Sequence, residues 1–301
     1  NNEQVRSSDE IHLGIDEASM TPSTREIDAL VEMMLEAVVH YKKPLLLVDL
    51  LAWHRTLFPD GYSELYSIES GALRDDSKGA MQVVSGGYGR EQVHFVAPKA
   101  QSLELELNKF LSWYNASVDQ QDNLDLVIKA GIAHLWFVTL HPFDDGNGRI
   151  TRALTERMLA QSDGRQQRFY SMSAQILKQR DEYYNILERT QKRDNDITQW
   201  LVWFLQTLEQ ALLGAESTTN KIIKKASFWQ THRQQALNSR QVKMLNLLLT
   251  DFYGKLTTKK WATMTKCSAD TALRDINDLI DKSMLIKSNA SGRSTNYEVV
   301  I

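Results

Sequence analysis

The sequence predicts a mainly α-helical protein with a β-hairpin in a large domain and a small winged-helix domain at the C-terminal end. Three observations lead to this fold class. Only five prolines and fourteen glycines interrupt 301 residues, and apolar residues recur at helical spacing through most of the chain. The exceptions are a strand–glycine–strand pattern at 81–98 and, after residue 238, a pattern of three helices followed by a hairpin.

The predicted helices of the first 237 residues share apolar side chains three and four positions apart. They cover 24–41, 46–58, 103–115, 124–139, 150–161, 172–190 and 197–214. Residues 82–84 and 92–96 have strand patterns and flank a glycine-rich turn, so they predict a hairpin. Residues 215–237 contain neither proline nor glycine and predict a helical connector.

The C-terminal pattern predicts helices at 239–251, 258–265 and 269–281, then strands at 284–286 and 296–301. Three helices followed by a hairpin are typical of a winged helix-turn-helix. The predicted organisation therefore has four parts. They are an N-terminal extension (1–23), a large domain (24–215), a helical connector (216–237) and a winged-helix domain (238–301).

Composition and charge exclude several classes of protein. The chain is 42% hydrophobic and 24% charged, which excludes a disordered chain. No apolar run approaches 18 residues, so no membrane span is expected. A single cysteine, Cys267, cannot form an internal disulfide, and a cytoplasmic location is expected. The net charge is −3, but residues 238–301 hold ten Lys or Arg against six Asp or Glu, which favours separate partners for the two domains.

One polar segment between two predicted helices combines several chemically active groups. Residues 141–152 read His-Pro-Phe-Asp-Asp-Gly-Asn-Gly-Arg-Ile-Thr-Arg. His141 can act as a general base, and Asp145 can hold Mg²⁺ on a polyphosphate. The amides that open the second helix, together with Arg149 and Arg152, form a cradle for anions. This combination predicts nucleotide transfer to a hydroxyl group.

Two other phosphate or metal motifs do not fit this segment. A P-loop needs a Gly-Lys-Ser/Thr end, and the chain has no such string. An EF-hand loop starting at Asp145 would place Arg149 at its fifth position and Ile150 where glycine is required.

The segment resembles, at every fixed position, the signature of the Fic family, His-x-Phe-x-Asp/Glu-Gly-Asn-Gly-Arg-x-x-Arg. The resemblance extends over about residues 24–215. It implies a protein adenylyltransferase, an enzyme that transfers AMP from ATP to a Ser, Thr or Tyr hydroxyl of a target protein. Two alternatives stay open: removal of AMP from a modified protein, and a DNA-binding regulator that senses nucleotide.

The resemblance also implies roles for single residues. His141 would deprotonate the target hydroxyl, Phe143 would anchor the loop in the core, and Asp145 would hold Mg²⁺. The residues implied in binding the nucleotide are Gly146, Asn147, Gly148, Arg149, Ile150, Thr151, Arg152 and Tyr184. Among them Arg149 would contact the terminal phosphate and Arg152 the β-phosphate. The hairpin would be a flap that docks the target by strand addition through Val84, Ser85, Gly86 and Gly87.

Many Fic proteins carry an inhibitory helix whose Glu pairs with the arginine that corresponds to Arg149. Its Ser/Thr-x-x-x-Glu-Gly/Asn string does not occur in this sequence. Because the first residue is Asn1 and not Met, we expect such a helix to precede this chain in the full-length protein. Pairing with its Glu would hold Arg149 away from the γ-phosphate.

Several further residues leave two interpretations open. His94 is either an exposed strand residue or part of the docking surface, and His134 is a satisfied core residue or part of the site. Arg74 either braces the hairpin or lies in a solvated turn. The basic residues Lys259, Lys260, Lys266, Arg274 and Arg293 would contact DNA, although Asp270, Asp275 and Asp278 on the same helix would weaken this contact. A homodimer is possible.

Overall fold

The computed structural model describes residues 25–63, 66–77, 79–85, 92–116, 124–193, 195–250, 252–288 and 295–300. These residues fall into two compact units that divide between Ala215 and Glu216. The mainly helical class with a two-stranded hairpin is confirmed. No helix within the described ranges combines the length and the apolar character needed to cross a membrane.

The larger unit is built from helices and two short hairpins. Its helices are α1 (Arg25–Val39), α2 (Leu47–Leu57), α3 (Ala100–Ala116), α4 (Leu126–Leu140), α5 (Asn147–Asp163), α6 (Met172–Lys178), α7 (Arg180–Gln191) and the first part of α8 (Thr198–Thr231). Strands β1 (Tyr62–Ser63) and β2 (Tyr66–Ser67) pair antiparallel, as do β3 (Gln82–Ser85) and β4 (Gln92–Val96). The β3–β4 register shifts between Val83 and Val84.

Helices α4 and α5 form the centre of the larger unit. The sequence of α4 is apolar on every side, which is typical of a helix enclosed by other elements. Along α5, Ile150, Leu154 and Met158 are fully buried in the same core cluster. The two helices contact each other and are joined by a six-residue connection, where the polar segment that starts at His141 begins.

The smaller unit contains the end of α8, then α9 (Ser239–Leu248), α10 (Thr258–Thr265), α11 (Ala269–Asp281), β5 (Leu285–Lys287) and β6 (Tyr297–Val299). Asn238, Thr257 and Ser268 each accept a backbone N–H bond at the start of their helix, which fixes where the three helices begin. The β strands pair antiparallel. The observed order of elements follows the sequence pattern, and the winged-helix assignment stays a prediction.

Two of the sequence-based boundaries are wrong. The pattern at 172–190 is two helices, because the chain leaves helical geometry at Gln179 (φ −110°, ψ 32°). The predicted helix ending at Gly214 instead runs on to Thr231. A single interior glycine weakens a helix by about 1 kcal/mol but does not end it, and the chain that follows has no proline. The β1–β2 pair was not predicted, since two-residue strands leave no periodic signal.

Candidate active site

The polar segment turns sharply because two residues adopt left-handed backbone conformations. His141 caps the end of α4 with φ 48° and ψ 57°, and Gly146 precedes α5 with φ 81°. A Cβ atom at Gly146 would lie 2.8 Å from Cε2 of Phe58. Position 146 therefore requires glycine both for its backbone angle and for the close approach of the Phe58 ring.

The loop is fixed from inside by Asn147 and Phe143. The Asn147 side chain accepts the Phe143 N–H (3.0 Å) and donates to the Phe143 carbonyl (2.8 Å). The Phe143 ring is fully buried and stacks on His54, with centroids 4.4 Å apart. The structure thus agrees with the anchoring role implied for Phe143. The side-chain amide of Asn147 is bonded to the loop backbone. The backbone N–H of Asn147 is therefore the group that remains to face a ligand.

The His141 imidazole is oriented as a base. Its Nδ1 lies 3.2 Å from the Val138 carbonyl, and a carbonyl oxygen can only accept a hydrogen bond. Nδ1 therefore carries the proton, and Nε2 keeps its lone pair. Partial burial lowers the pKa of His141, while the bond to Val138 acts in the opposite direction and nearby Arg74 lowers it further. The neutral, proton-accepting form is thus favoured near neutral pH.

Arg74 is the residue of this site whose placement the sequence left open. Its side chain is fully buried, and its Nε donates to the His141 carbonyl over 2.7 Å. The guanidinium also bonds to Asp76 (2.9 Å) and to the Pro98 carbonyl. The interpretation as a solvated turn is wrong, because these three acceptors enclose the guanidinium.

The Asp145 carboxylate is half-exposed and has three donors around it. It accepts hydrogen bonds from the Ser63 hydroxyl, the Gly146 N–H and Arg149, the last at 3.2 Å. Magnesium at nucleotide sites is commonly held by one or two carboxylates together with the phosphates. Asp145, with 46% of its side chain exposed, fits that donor set. The described residues contain no cluster of three or more His, Cys, Asp or Glu that could hold a metal alone.

The first turn of α5 provides donors and a cation. The first amides of a helix have no partner within the helix and carry the positive end of its dipole. At Gly148 an added Cβ would meet only Arg152, at 3.8 Å, so the backbone there is open to approach. Arg149 pairs with Asp145 and lies over the Phe58 ring. Arg152 makes neither a hydrogen bond nor a salt bridge with any residue that the structure describes.

Two residues implied in nucleotide binding have other tasks. The Ile150 side chain is fully buried in the core, and the buried Thr151 hydroxyl donates to the Asn147 carbonyl over 2.7 Å. The Ile150 amide is also occupied, since it donates to the Gly146 carbonyl. The side chains of these two residues thus serve packing and helix geometry, and their assignment to nucleotide binding stays a prediction.

The aromatic pair of α7 divides between core and surface. Tyr183 is buried, and its hydroxyl bonds to Nε2 of His134, whose Nδ1 contacts Thr155. The interpretation of His134 as a satisfied core residue is confirmed. Tyr184 is 51% exposed, and its ring lies 5.3 Å from that of Tyr183. Tyr184 is therefore the exposed ring of the pair, and the Arg180 guanidinium lies over it, 5.7 Å from the ring centroid.

The β3–β4 hairpin is attached to α7 on one side. Nε2 of His94 on β4 lies 2.5 Å from the Ser85 hydroxyl, and its Nδ1 lies 2.7 Å from Glu188 on α7. His94 is therefore half-buried and bonded, and the prediction of an exposed residue is wrong. Val84 is 48% exposed. Of the four predicted docking residues, Gly86 and Gly87 lie outside the described residues.

Two buried histidines make the stability of this site dependent on pH. Burial lowers the pKa of His54 to about 4 and that of His134 to about 3. As the pH decreases, the histidines of the unfolded chain bind protons at a higher pH than those of the folded protein. The contribution of the two histidines to the free energy of unfolding is therefore fully present above about pH 6.5 and is lost as the pH decreases toward 4. Each histidine contributes at most about 1.4 kcal/mol per pH unit.

We therefore expect His134→Gln to flatten the pH dependence of the free energy of unfolding, measured by urea denaturation between pH 5 and 7.5. Met33→Leu is the control, because it changes a buried core residue without removing a titratable group and should leave the slope unchanged. A wild-type protein equally stable at pH 5 and 7.5 would contradict the neutral, buried state of these histidines.

Part of the chain, including the polar segment, matches a known protein family. Residues 44–159 match the model of the Fic/DOC family. A protein adenylyltransferase Fic of Drosophila grimshawi is 28% identical over 192 residues, which are 64% of this chain and 35% of that protein. One of Culex quinquefasciatus is 28% identical over 158 residues, 52% of this chain and 28% of that protein. The chain thus spans about a third of the length of these curated relatives. These matches support a Fic family protein.

Two solved structures have a similar fold. A Fic family protein from Desulfovibrio desulfuricans superimposes with a TM-score of 0.51 and 19% identity, over 98% of this chain and 82% of that one. A Fic domain containing signaling protein from Bacteroides thetaiotaomicron gives a TM-score of 0.50 and 20% identity, over 74% of this chain and 81% of that one. At these identities the likeness extends to the fold alone.

Proposed function

We propose that this chain, whose residues 44–159 match the Fic/DOC family, is a protein adenylyltransferase that transfers AMP from ATP to a Ser, Thr or Tyr hydroxyl of a target protein. One observation carries the proposal. A neutral imidazole, whose Nε2 has no partner among the described residues, begins the six-residue connection that leads to the N-terminus of α5. In the first two turns of that helix, Arg152 has no hydrogen-bond or salt-bridge partner within the same described ranges. A hydroxyl base next to a polyphosphate cradle is the minimum set of groups for this reaction.

In the proposed reaction the target oxygen attacks the α-phosphorus of ATP. The bond between that phosphorus and the oxygen that bridges to the β-phosphate breaks, and pyrophosphate leaves with the electron pair. Nε2 of His141 accepts the hydroxyl proton as the new P–O bond forms. The amides that begin α5 and the Arg152 guanidinium compensate the negative charge on the phosphate oxygens.

Magnesium belongs to this proposal as a companion of ATP. Asp145 would hold the ion, which when bound neutralises phosphate charge and orients the pyrophosphate for departure. Ser63 and the Gly146 amide hold the carboxylate in place. Arg149 would exchange its bond with Asp145 for the terminal phosphate.

The hairpin offers a place for the target. Within the described residues β3 pairs with β4 alone, and β4 is joined to α7 through His94 and Glu188. The outer edge of β3 therefore keeps unpaired backbone donors and acceptors. An extended target segment can add there as a third strand, with Val84 as an exposed apolar contact.

Labelled ATP tests the proposed function. The protein is incubated with candidate target extract and Mg²⁺, using ATP labelled on either the α- or the γ-phosphate. We expect label on protein from α-labelled ATP only, with none in His141→Ala. Label from γ-labelled ATP would indicate a kinase, and release of AMP from a modified protein without incorporation would favour the reverse reaction. No label from either nucleotide, with ATP still bound, would favour a nucleotide sensor.

We also propose that the smaller unit binds double-stranded DNA through α11, the second helix of its helix-turn-helix. Two of the three aspartates that seemed to oppose this are bonded to other residues. Asp275 is buried and accepts bonds from Arg240 and Asn238. Asp278 accepts from Gln241 and Lys282. Of these three aspartates, Asp270 is the one that stays exposed without such partners.

The cations around α11 differ in their availability. Three cationic side chains are exposed and have no hydrogen-bond or salt-bridge partner among the described residues. They are those of Lys259, Lys266 and Arg274. The Lys260 ammonium instead bonds to the Tyr253 carbonyl and lies over the Phe252 ring. Arg293 lies outside the described residues. The three available cations are suited to phosphate contacts.

Fluorescence anisotropy with a labelled duplex at several salt concentrations tests the DNA proposal. Removing Lys266 and Arg274 together should weaken binding and reduce the salt slope by about 0.9 for each phosphate that these side chains neutralise. Lys192→Ala, an exposed cation of the larger unit, is the control. Binding that is independent of salt, or equal in all three proteins, would contradict the proposal.

A further inference from the structure

We propose that Arg74 is a positioning residue that bonds both to His141 and to the chain that leaves the β3–β4 hairpin. It thereby keeps the imidazole and the hydroxyl of a docked target at a fixed distance and orientation. This inference rests on the proposed adenylyl transfer. It concerns a residue outside the signature segment, 67 positions from His141 in the sequence.

All three nitrogens of the Arg74 guanidinium donate a hydrogen bond. Nε donates to the His141 carbonyl (2.7 Å), Nη1 to Asp76 (2.9 Å) and Nη2 to the Pro98 carbonyl. The Arg74 backbone N–H also donates to the Pro142 carbonyl at 3.0 Å. Two consecutive carbonyls of the signature segment are therefore held by one residue.

The backbone of His141 is strained, with φ 48° and ψ 57°. A residue with a Cβ atom is disfavoured in this left-handed region and persists there only where its surroundings hold it. His141 also stands at the end of α4, where carbonyls lose their helical partners. The bond from Arg74 satisfies the His141 carbonyl, and it fixes the peptide that sets the direction of the imidazole.

Arg74 and its partners are also bonded to the chain that leaves the hairpin. Strand β4 ends at Val96, and Pro98 lies two residues beyond it. Asp76, the acidic partner of Arg74, accepts the Ala100 N–H over 2.8 Å at the start of α3. The chain that leaves the hairpin is thus bonded to the same cluster as His141. A displacement of a docked target relative to the imidazole would have to break these bonds.

A buried lysine cannot replace this arrangement. Its single ammonium group cannot reach three acceptors that lie around a planar fork. The positive charge of Arg74 also helps to keep the pKa of His141 low. Arg74→Lys keeps a positive charge but loses the bond to the His141 carbonyl. It should therefore displace the imidazole and, by changing its burial, alter its titration, which a merely structural residue would not do.

The experiment compares Arg74→Lys with Arg157→Lys. Arg157 is an equally apt control, because it is buried and bonds to the carbonyls of Ala37 and Lys43, but lies about 15 Å along α5 from Asn147. Measured for each protein are the melting temperature, the Kd for ATP, the kcat and KM for AMP transfer to the target, and the His141 titration by NMR.

We expect Arg74→Lys to lower kcat on the order of 10²-fold, as for a misplacement of about 1 Å, to raise KM for the target and to shift the His141 titration. The Kd for ATP should change less than twofold. Arg157→Lys should lower the melting temperature without these changes. If Arg74→Lys does not fold, Asp76→Asn weakens the same cluster and is measured instead, with the same expected pattern.

The inference is overturned if kcat and the His141 titration of the Arg74 variant match those of the Arg157 variant. It is also overturned if ATP affinity falls as much as kcat, since Arg74 would then support the cradle and not the base. A wild-type protein that incorporates no label would contradict the proposed function. The NMR titration of His141 in both variants then still decides whether Arg74 controls this residue.

Discussion

Replacement of His141 by alanine should lower the rate of AMP transfer by about 10²–10⁴-fold, the usual effect of losing a general base. The affinity for ATP should stay the same, because in the proposed reaction the imidazole acts on the incoming hydroxyl and not on the phosphates. Its Nδ1 is occupied by the Val138 carbonyl, so Nε2 is the nitrogen that faces the reaction. Single-turnover transfer and equilibrium ATP binding, measured on the same preparation, separate the two effects.

The same experiment contains a test of the protonation state. Because burial lowers the pKa of His141, the base form persists below the ordinary histidine range. The rate should therefore hold its plateau to a lower pH than a free imidazole allows and fall as the pH decreases further. His40→Ala, a half-exposed histidine at the end of α1, should leave the rate unchanged. A His141→Ala protein that loses ATP binding together with activity would contradict the role of base.

Replacement of Arg152 by alanine should lower kcat/KM for ATP on the order of 10²–10³-fold, as expected for removing one group that stabilises developing charge. This guanidinium has no ion-pair or hydrogen-bond partner in the described part of the chain, although it lies near enough to influence the pKa of His134 and Tyr183. A phosphate is the partner its position suggests. Arg152→Lys should restore only part of the loss, because an ammonium cannot bind two phosphate oxygens as a planar fork does.

The control for Arg152 is Arg165→Ala, which removes an exposed arginine just beyond the other end of α5. Both variants lose one positive charge, so a general electrostatic effect on ATP would appear in both. Steady-state kinetics at two salt concentrations distinguish the cases. Equal, salt-dependent losses in the two proteins would show that Arg152 has no specific phosphate contact.

Much of the fold follows from local signals in the sequence. Apolar spacing and the polar breaks between helices predicted α10 and α11 with their observed ends. The signature segment predicted the position of the site, because a plain loop between two helices rarely combines two glycines, two aspartates and two arginines. The break at Gln179 was missed, since apolar periodicity continues across it.

The features that the sequence did not show concern side-chain direction and long-range contacts. Ile150 and Thr151 stand between charged residues of the signature, but helical geometry turns them toward the core. Arg74 is followed by two aspartates and therefore looked like part of a solvated turn. Its burial depends on the carbonyls of His141 and Pro98, which no local pattern brings together.

The internal bracing of the signature loop has a consequence for the entropy of ligand binding. The two bonds between Asn147 and Phe143, and the stacking of Phe143 on His54, already fix this backbone when the chain folds. A loop that became ordered only around ATP would lose about 1–2 kcal/mol of conformational freedom per residue at that moment. Here that loss is part of folding. Most of the attraction between loop and phosphates therefore remains available for affinity and for the transition state.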